Sequence, residues 1–149
     1  MTISASCVAA LRAALVGDAA GFEWLAGQPG LAQGEEFPGL MAMAFVAAAR
    51  RRFPAGWPAA DVIRFVGQVR GGDSGHPELS PTLAEQLILS ALRNVPLHGH
   101  PDETATAYTQ FVLLRELVSD LDGDQLSALL AGTRDDAERT GRPARPSSR

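Results

Sequence analysis

The chain contains no lysine, and all 13 of its basic residues are arginine. Asparagine occurs once, as Asn94, and tyrosine once, as Tyr108, whereas alanine is abundant. This pattern fits a GC-rich bacterial genome, whose codons favour arginine and alanine over lysine and asparagine. Selection against a modifiable amine would leave the same trace. Cysteine is nearly absent: Cys7 stands alone. One thiol excludes an intramolecular disulfide and any cysteine-based zinc site. Long apolar runs are also missing. None approaches the ~20 residues of a membrane-spanning helix, so no membrane partner is expected. The N-terminal stretch has no basic segment, and Arg12 and Asp18 interrupt its apolar residues, unlike a signal peptide. A reduced, cytoplasmic setting is therefore the expectation. Nor is there an excess of positive charge. The net charge of −4 gives no general attraction to nucleic acid or anionic lipid. Finally, no stretch shows the two-residue alternation of a half-buried strand.

What is present is helical periodicity almost throughout, so the chain is expected to be all-α. The reading is a compact single-domain bundle of six or seven helices over residues 1–140, with a disordered tail at 141–149. The first helix is expected near 5–16, with Val8, Leu11 and Leu15 on one stripe and Gly17 as its stop. Asp18 caps a short second helix that turns Phe22 and Leu25 inward and closes at Gly27. A third helix is predicted from Pro38 to Phe53, burying Met41, Phe45, Ala48, Ala49 and Phe53. A fourth runs from Pro58 to Arg70, with Val62, Phe65, Val66 and Val69 inside. Ser80 caps the fifth, where Leu83, Leu87, Ile88, Ala91 and Leu92 wrap much of the circumference and predict a central helix. Asp102 or Thr104 caps the sixth, expected to reach Asp120 with Ala107, Tyr108, Phe111, Val112, Leu114, Leu117 and Val118 inside. A seventh follows Asp122-Gly123-Asp124 with a stripe of Leu126, Leu129, Leu130 and Thr133. Gly75-His76-Pro77-Glu78 and Gly99-His100-Pro101-Asp102 precede the fifth and sixth helices alike, which common helix-start rules explain without a duplication.

Charge is uneven in one place. Residues 50–70 hold five arginines and one acid. Consecutive helical residues point about 100° apart, so the triplet Arg50-Arg51-Arg52 is not one patch. Arg50 lies opposite the apolar face and Arg51 to one side. Arg52 falls between Phe45 and Phe53, where it is expected to snorkel or pair with a carboxylate. Cations at a helix C-terminus are favourable by ~0.3–1 kcal/mol in any case. The functional reading is an anion or acidic-partner site formed by Arg50, Arg51, Arg64 and Arg70, anchored at the hinge by Trp57. A helix-turn-helix reader is disfavoured. The link Pro54-Ala55-Gly56-Trp57-Pro58 is too long and proline-rich for the usual tight turn, and an acidic domain opposes the phosphate term.

Other motifs carry less. His98-Gly99-His100 lies near Asp102 and Glu103, and His76 lies near Asp73, so His76, His98 and His100 are the candidate metal ligands. A His-x-His pair in a loop has no fixed coordination geometry, however. Gly72-Asp73-Ser74-Gly75 resembles the nucleophile turn of chymotrypsin-like proteases over four residues only. No histidine precedes His76, and a double β-barrel is excluded by the helical pattern. Asp120-Leu121-Asp122-Gly123-Asp124 fails as a calcium loop, because its sixth position is Gln125 and its twelfth Ala131. Cys7, on an alanine-rich helix without nearby cations, reads as a buried inert thiol. Arg115 falls within the apolar arc of the sixth helix and is expected to be buried beside a partner carboxylate, or to line a small-molecule pocket.

No catalytic constellation and no cofactor motif appears. The leading expectation is a non-enzymatic protein-protein interaction or regulatory module, docking on another protein or on itself. The alternatives are a nucleic-acid-binding regulator using the arginine island, and a small-molecule or metal-binding helical protein.

Overall fold

A computed structural model of the chain describes residues 3–27, 36–72, 75–97, 99 and 102–141. Residues 142–149 of the expected tail, His98 and His100 lie outside the described residues, as do the side chains of Phe22 and Leu25, while residue 141 ends the seventh helix. Among the described residues the fold is all-α, with seven helices and no strand. None of these helices is long and apolar enough to cross a membrane. Packing divides the chain into two compact units. Unit 1 comprises residues 1–43 and 122–149, and unit 2 comprises residues 44–121.

Unit 1 contains α1 (Ala5–Val16), α2 (Ala19–Ala26), the first half of α3 (Glu36–Arg52) and α7 (Gly123–Gly141). The Ser4 hydroxyl accepts from the Cys7 amide and starts α1. Gly17 ends it with φ 80°, a left-handed turn that glycine enters without strain. Asp18 Oδ1 then accepts from the Gly21 amide at 3.0 Å and opens α2, as the sequence suggests. In α3, Pro38 sits in the first turn, but the helix begins two residues earlier, at Glu36. There the Glu36 carboxylate also accepts from the Ser4 amide. The start of α7 is reciprocal: Asp122 Oδ1 accepts from the Gln125 amide at 2.8 Å, and Gln125 Oε1 accepts from the Asp122 amide at 3.0 Å. The buried stripe of α7 is Leu126, Leu130, Thr133 and Ala137, with Leu129 half-buried. The Thr133 hydroxyl satisfies itself on the Leu129 carbonyl. Cys7 is fully buried. Loss of hydration pushes its thiol up to about 11, with a further push from Glu36.

Unit 2 contains the second half of α3, α4 (Ala59–Gly71), α5 (Pro81–Arg93) and α6 (Glu103–Leu117). Phe45, Ala48, Ala49 and Phe53 of the chain around α3 are buried as expected, as are Val62, Phe65, Val66 and Val69 of α4. Ser80 caps α5, with Pro81 in its first turn, and Asp102 caps α6. Two expectations need correction here. α5 buries one face, Ala84, Leu87, Ile88 and Ala91, while Leu83 and Leu92 are only half-buried. α6 keeps Val112, Leu114 and Leu117 of the predicted face buried, with Val118 just beyond it, but turns Thr109 and Leu113 inward as well, and it ends at Leu117, three residues before Asp120. Its buried residues are Thr109, Val112, Leu113, Leu114 and Leu117, whereas Ala107, Tyr108 and Arg115 are exposed. Apolar residues surround most of this helix, so several faces compete and packing selects one.

The exit from α4 is tightly folded. The His76 amide reaches the Val69 carbonyl at 3.1 Å, and the Gly75 amide reaches the Gly72 carbonyl at 2.8 Å. A Cβ at Gly75 would lie 2.7 Å from the Gly72 carbonyl oxygen and 2.9 Å from that of Arg70, so only glycine fits.

Candidate functional site

The five arginines of residues 50–70 have different surroundings. Arg51 reaches Asp120 with two hydrogen bonds, at 2.8 and 3.2 Å. That bidentate pair holds the Asp120 carboxyl below its ordinary value and the guanidinium above its own. Arg70 turns back onto its own loop: Nε donates to the Leu79 carbonyl at 2.9 Å and a terminal nitrogen to the Pro77 carbonyl at 3.2 Å. Both cations are engaged in holding the fold. They therefore differ from the outward role considered for them.

Arg50, Arg52 and Arg64 are exposed. Arg50 has no ion pair among the described residues. Arg52 stands over the Phe65 ring, with its guanidinium carbon 5.8 Å from the centroid. It snorkels, as expected, but into solvent across an aromatic ring. Its charge also helps to depress Asp120, without a hydrogen bond. Arg64 lies 3.4 Å from Asp61, one turn earlier on α4, with 69% of its side chain exposed. A pair that open to water contributes ~0–1 kcal/mol and releases its partner readily.

Arg52 and Arg64 line the same surface cleft, of about 200 Å³, together with Phe53, Asp61, Phe65 and Gln68. Local sequence builds this cleft. Phe53 and Phe65 pack edge to face with centroids 5.7 Å apart, which sets the end of α3 against the middle of α4. The connection turns at Pro54-Ala55-Gly56-Trp57: the Trp57 amide donates to the Pro54 carbonyl at 3.1 Å, and Gly56 takes φ 92°. Chemically, the cleft offers two guanidinium groups and one carboxylate on an aromatic floor. It can bind an anion; it holds no nucleophile paired with a base.

Trp57 is half-buried at the hinge, as the anchor reading requires. Its ring carries a cation that sequence reasoning did not identify: the Arg93 guanidinium carbon lies 5.8 Å from the Trp57 ring centroid. The two residues are 36 positions apart, and only tertiary packing joins them.

No cluster of three histidine, cysteine, aspartate or glutamate side chains suited to a metal exists among the described residues. Instead, His76 Nδ1 lies 3.2 Å from Glu78 Oε1, which also accepts from the Tyr108 hydroxyl at 2.8 Å. Glu78 is held below its ordinary value by its own backbone amide and then by Tyr108, while Tyr108 is raised by Glu78. This array ties the loop after α4 to α6 and explains why Tyr108 faces outward. Arg115 is exposed, which corrects the expectation that it is buried beside a carboxylate.

Compared with known protein families, curated proteins and solved structures, the chain matches none of them.

Proposed function

We propose that the protein is a non-catalytic interaction module that docks an acidic segment of another protein on the α3–α4 face of unit 2. One observation carries this reading: Arg52 and Arg64 open onto a single cleft, and neither has a buried or bidentate carboxylate of its own. Arg51 and Arg70, in the same stretch, are each taken up by two hydrogen bonds within unit 2, so the contrast is not a general property of surface arginines. Arginines set against aromatic rings are the groups that dominate protein-protein hot spots. A duplex is a poorer occupant, because its affinity rests on many phosphate contacts and the cleft supplies two guanidinium groups. The setting that accords with this role is cytoplasmic.

Fluorescence anisotropy of a labelled hexaglutamate peptide at low salt tests the reading. Saturable binding is expected, weakened at least ~10-fold by Arg52→Glu with Arg64→Glu, a loss of about 1.4 kcal/mol. Circular dichroism should show the helices of that variant unchanged. Binding that survives the double charge reversal, or a duplex oligonucleotide bound more tightly than the peptide, would overturn it.

A further inference from the structure

We infer that the end of α5 carries a second binding site, for the carboxy-terminal aliphatic residue of a partner polypeptide. This site uses a different surface from the α3–α4 cleft and stands or falls separately.

Leu89, Val95, Pro96 and Leu97 wall a surface pocket of about 120 Å³. A cavity of ~150 Å³ holds a benzene molecule, so this one has room for a single leucine- or valine-sized group. Its position follows from the way α5 stops. Asn94 takes the left-handed conformation with φ 53°, and the chain turns away, leaving Val95 46% exposed beside the helix it has just left. The Ser90 hydroxyl donates to the Val95 carbonyl, so that hydroxyl pins the wall and is not offered to a ligand.

The second observation is the charge. Arg93 lines the same pocket and forms no ion pair among the described residues. Its guanidinium rests over the Trp57 ring. A guanidinium held against a ring keeps its planar N–H edge for a carboxylate, and part of its ordering cost is met before any ligand arrives. An aliphatic wall beside one unpaired guanidinium is complementary to a ligand whose apolar group and carboxylate share a carbon. The last residue of a polypeptide has this form, since its Cα bears both. Gln86, which also lines the pocket, supplies a neutral amide for the preceding peptide group. A phosphate lacks the apolar part, and an internal side-chain carboxylate lacks the branched hydrocarbon beside it.

Trp57 provides the readout. In a Trp24→Phe background it is the only tryptophan, because the chain has two. The probe is acetyl-Ala-Ala-Ala-Leu as the free acid, titrated while Trp57 emission is followed. Isothermal titration gives the same constant independently of the ring. A saturable change is expected, with the C-terminal amide of the same peptide at least ~10-fold weaker and Arg93→Gln losing at least ~10-fold for the acid, each about 1.4 kcal/mol. Arg93 is exposed, so this substitution leaves the core untouched. Arg52→Glu with Arg64→Glu should leave this titration unchanged, which separates the two sites. Equal binding of acid and amide, isovalerate binding as tightly as the peptide, or no saturable signal by either method would each overturn the inference.

Discussion

In unit 1, Arg12 donates to the Ser127 hydroxyl at 3.1 Å, Arg134 pairs with Glu138 one turn along α7, and Arg139 pairs with Asp136. In unit 2, Arg52 and Arg93 rest on the rings of Phe65 and Trp57 instead. Unit 1 also has the roomier cleft, about 260 Å³, but its walls set Arg12 and Arg134 against Asp135 and Glu138, so its charge is balanced. The difference teaches where to look for binding. Intrahelical pairs, Arg64–Asp61 of unit 2 among them, occupy part of a cation's donors for a few tenths of a kcal/mol and give them up readily where solvated. A ring holds the same cation in place while leaving its donors for something else.

The comparison breaks if the two units differ in their cores and not only in their surfaces. Leu130 of unit 1 and Leu113 of unit 2 are both fully buried. Leu130→Ala and Leu113→Ala should each cost ~2–5 kcal/mol in urea denaturation; a penalty near zero for one would move the difference from the surface to the packing. Cys7 sharpens the description of the unit 1 core, in which it is fully buried. With its thiol pushed up to about 11, reaction with a disulfide reagent at pH 8 should be slowed on the order of a hundredfold relative to the unfolded chain. The sign for stability follows: the folded state holds the proton, so the contribution is complete below the ordinary thiol range and disappears as the pH rises toward about 11. Removing caps should affect the units alike. Asp122→Ala and Ser80→Ala each lose a helix start and should cost ~1 kcal/mol by thermal denaturation. The smallest effect belongs to the Arg51–Asp120 pair. The Asp120 carboxyl is depressed, so its contribution is present above the ordinary carboxylate range and lost as acid carries the pH down through its folded value. Both side chains are largely solvated, which limits the pair to under ~1 kcal/mol. Asp120→Asn should flatten that part of the stability-versus-pH curve, and an unchanged curve would show the pair to be idle.

Helix positions were legible where local chemistry decides them. Ser80-Pro81, Asp102, Asp18 and Gly17 each mark a boundary through their own backbone hydrogen bonds or φ preference, and they do so in the structure. The faces of α3 and α4 were legible because their apolar residues form one stripe. The face of α6 was legible only in part: from Ala107 to Val118 the large and small apolar residues cover most of the circumference. Tyr108 was drawn outward by Glu78, 30 residues earlier. The site divides in the same way. Helix geometry put Arg50 opposite the apolar face, where it is exposed, but put Arg52 on the inner face, whereas the structure turns it out over the Phe65 ring. It could not show that Arg70 folds back onto carbonyls of its own loop, that Arg51 meets Asp120, or that Arg93 covers Trp57. Each of those contacts depends on where a distant segment lies, and arginine's long stem lets it choose among several.

The fold-back of Arg70 and the pairing of Arg51 have a consequence for polyelectrolytes. With those two withdrawn, Arg50, Arg52 and Arg64 are the cations of residues 50–70 left facing solvent without a strong partner. A duplex gripped by three cations releases counterions with a log–log salt slope of about −2.7. Doubling the ionic strength would then weaken it only ~6-fold. Any steeper dependence would mean that phosphate is being met somewhere other than this stretch of the chain.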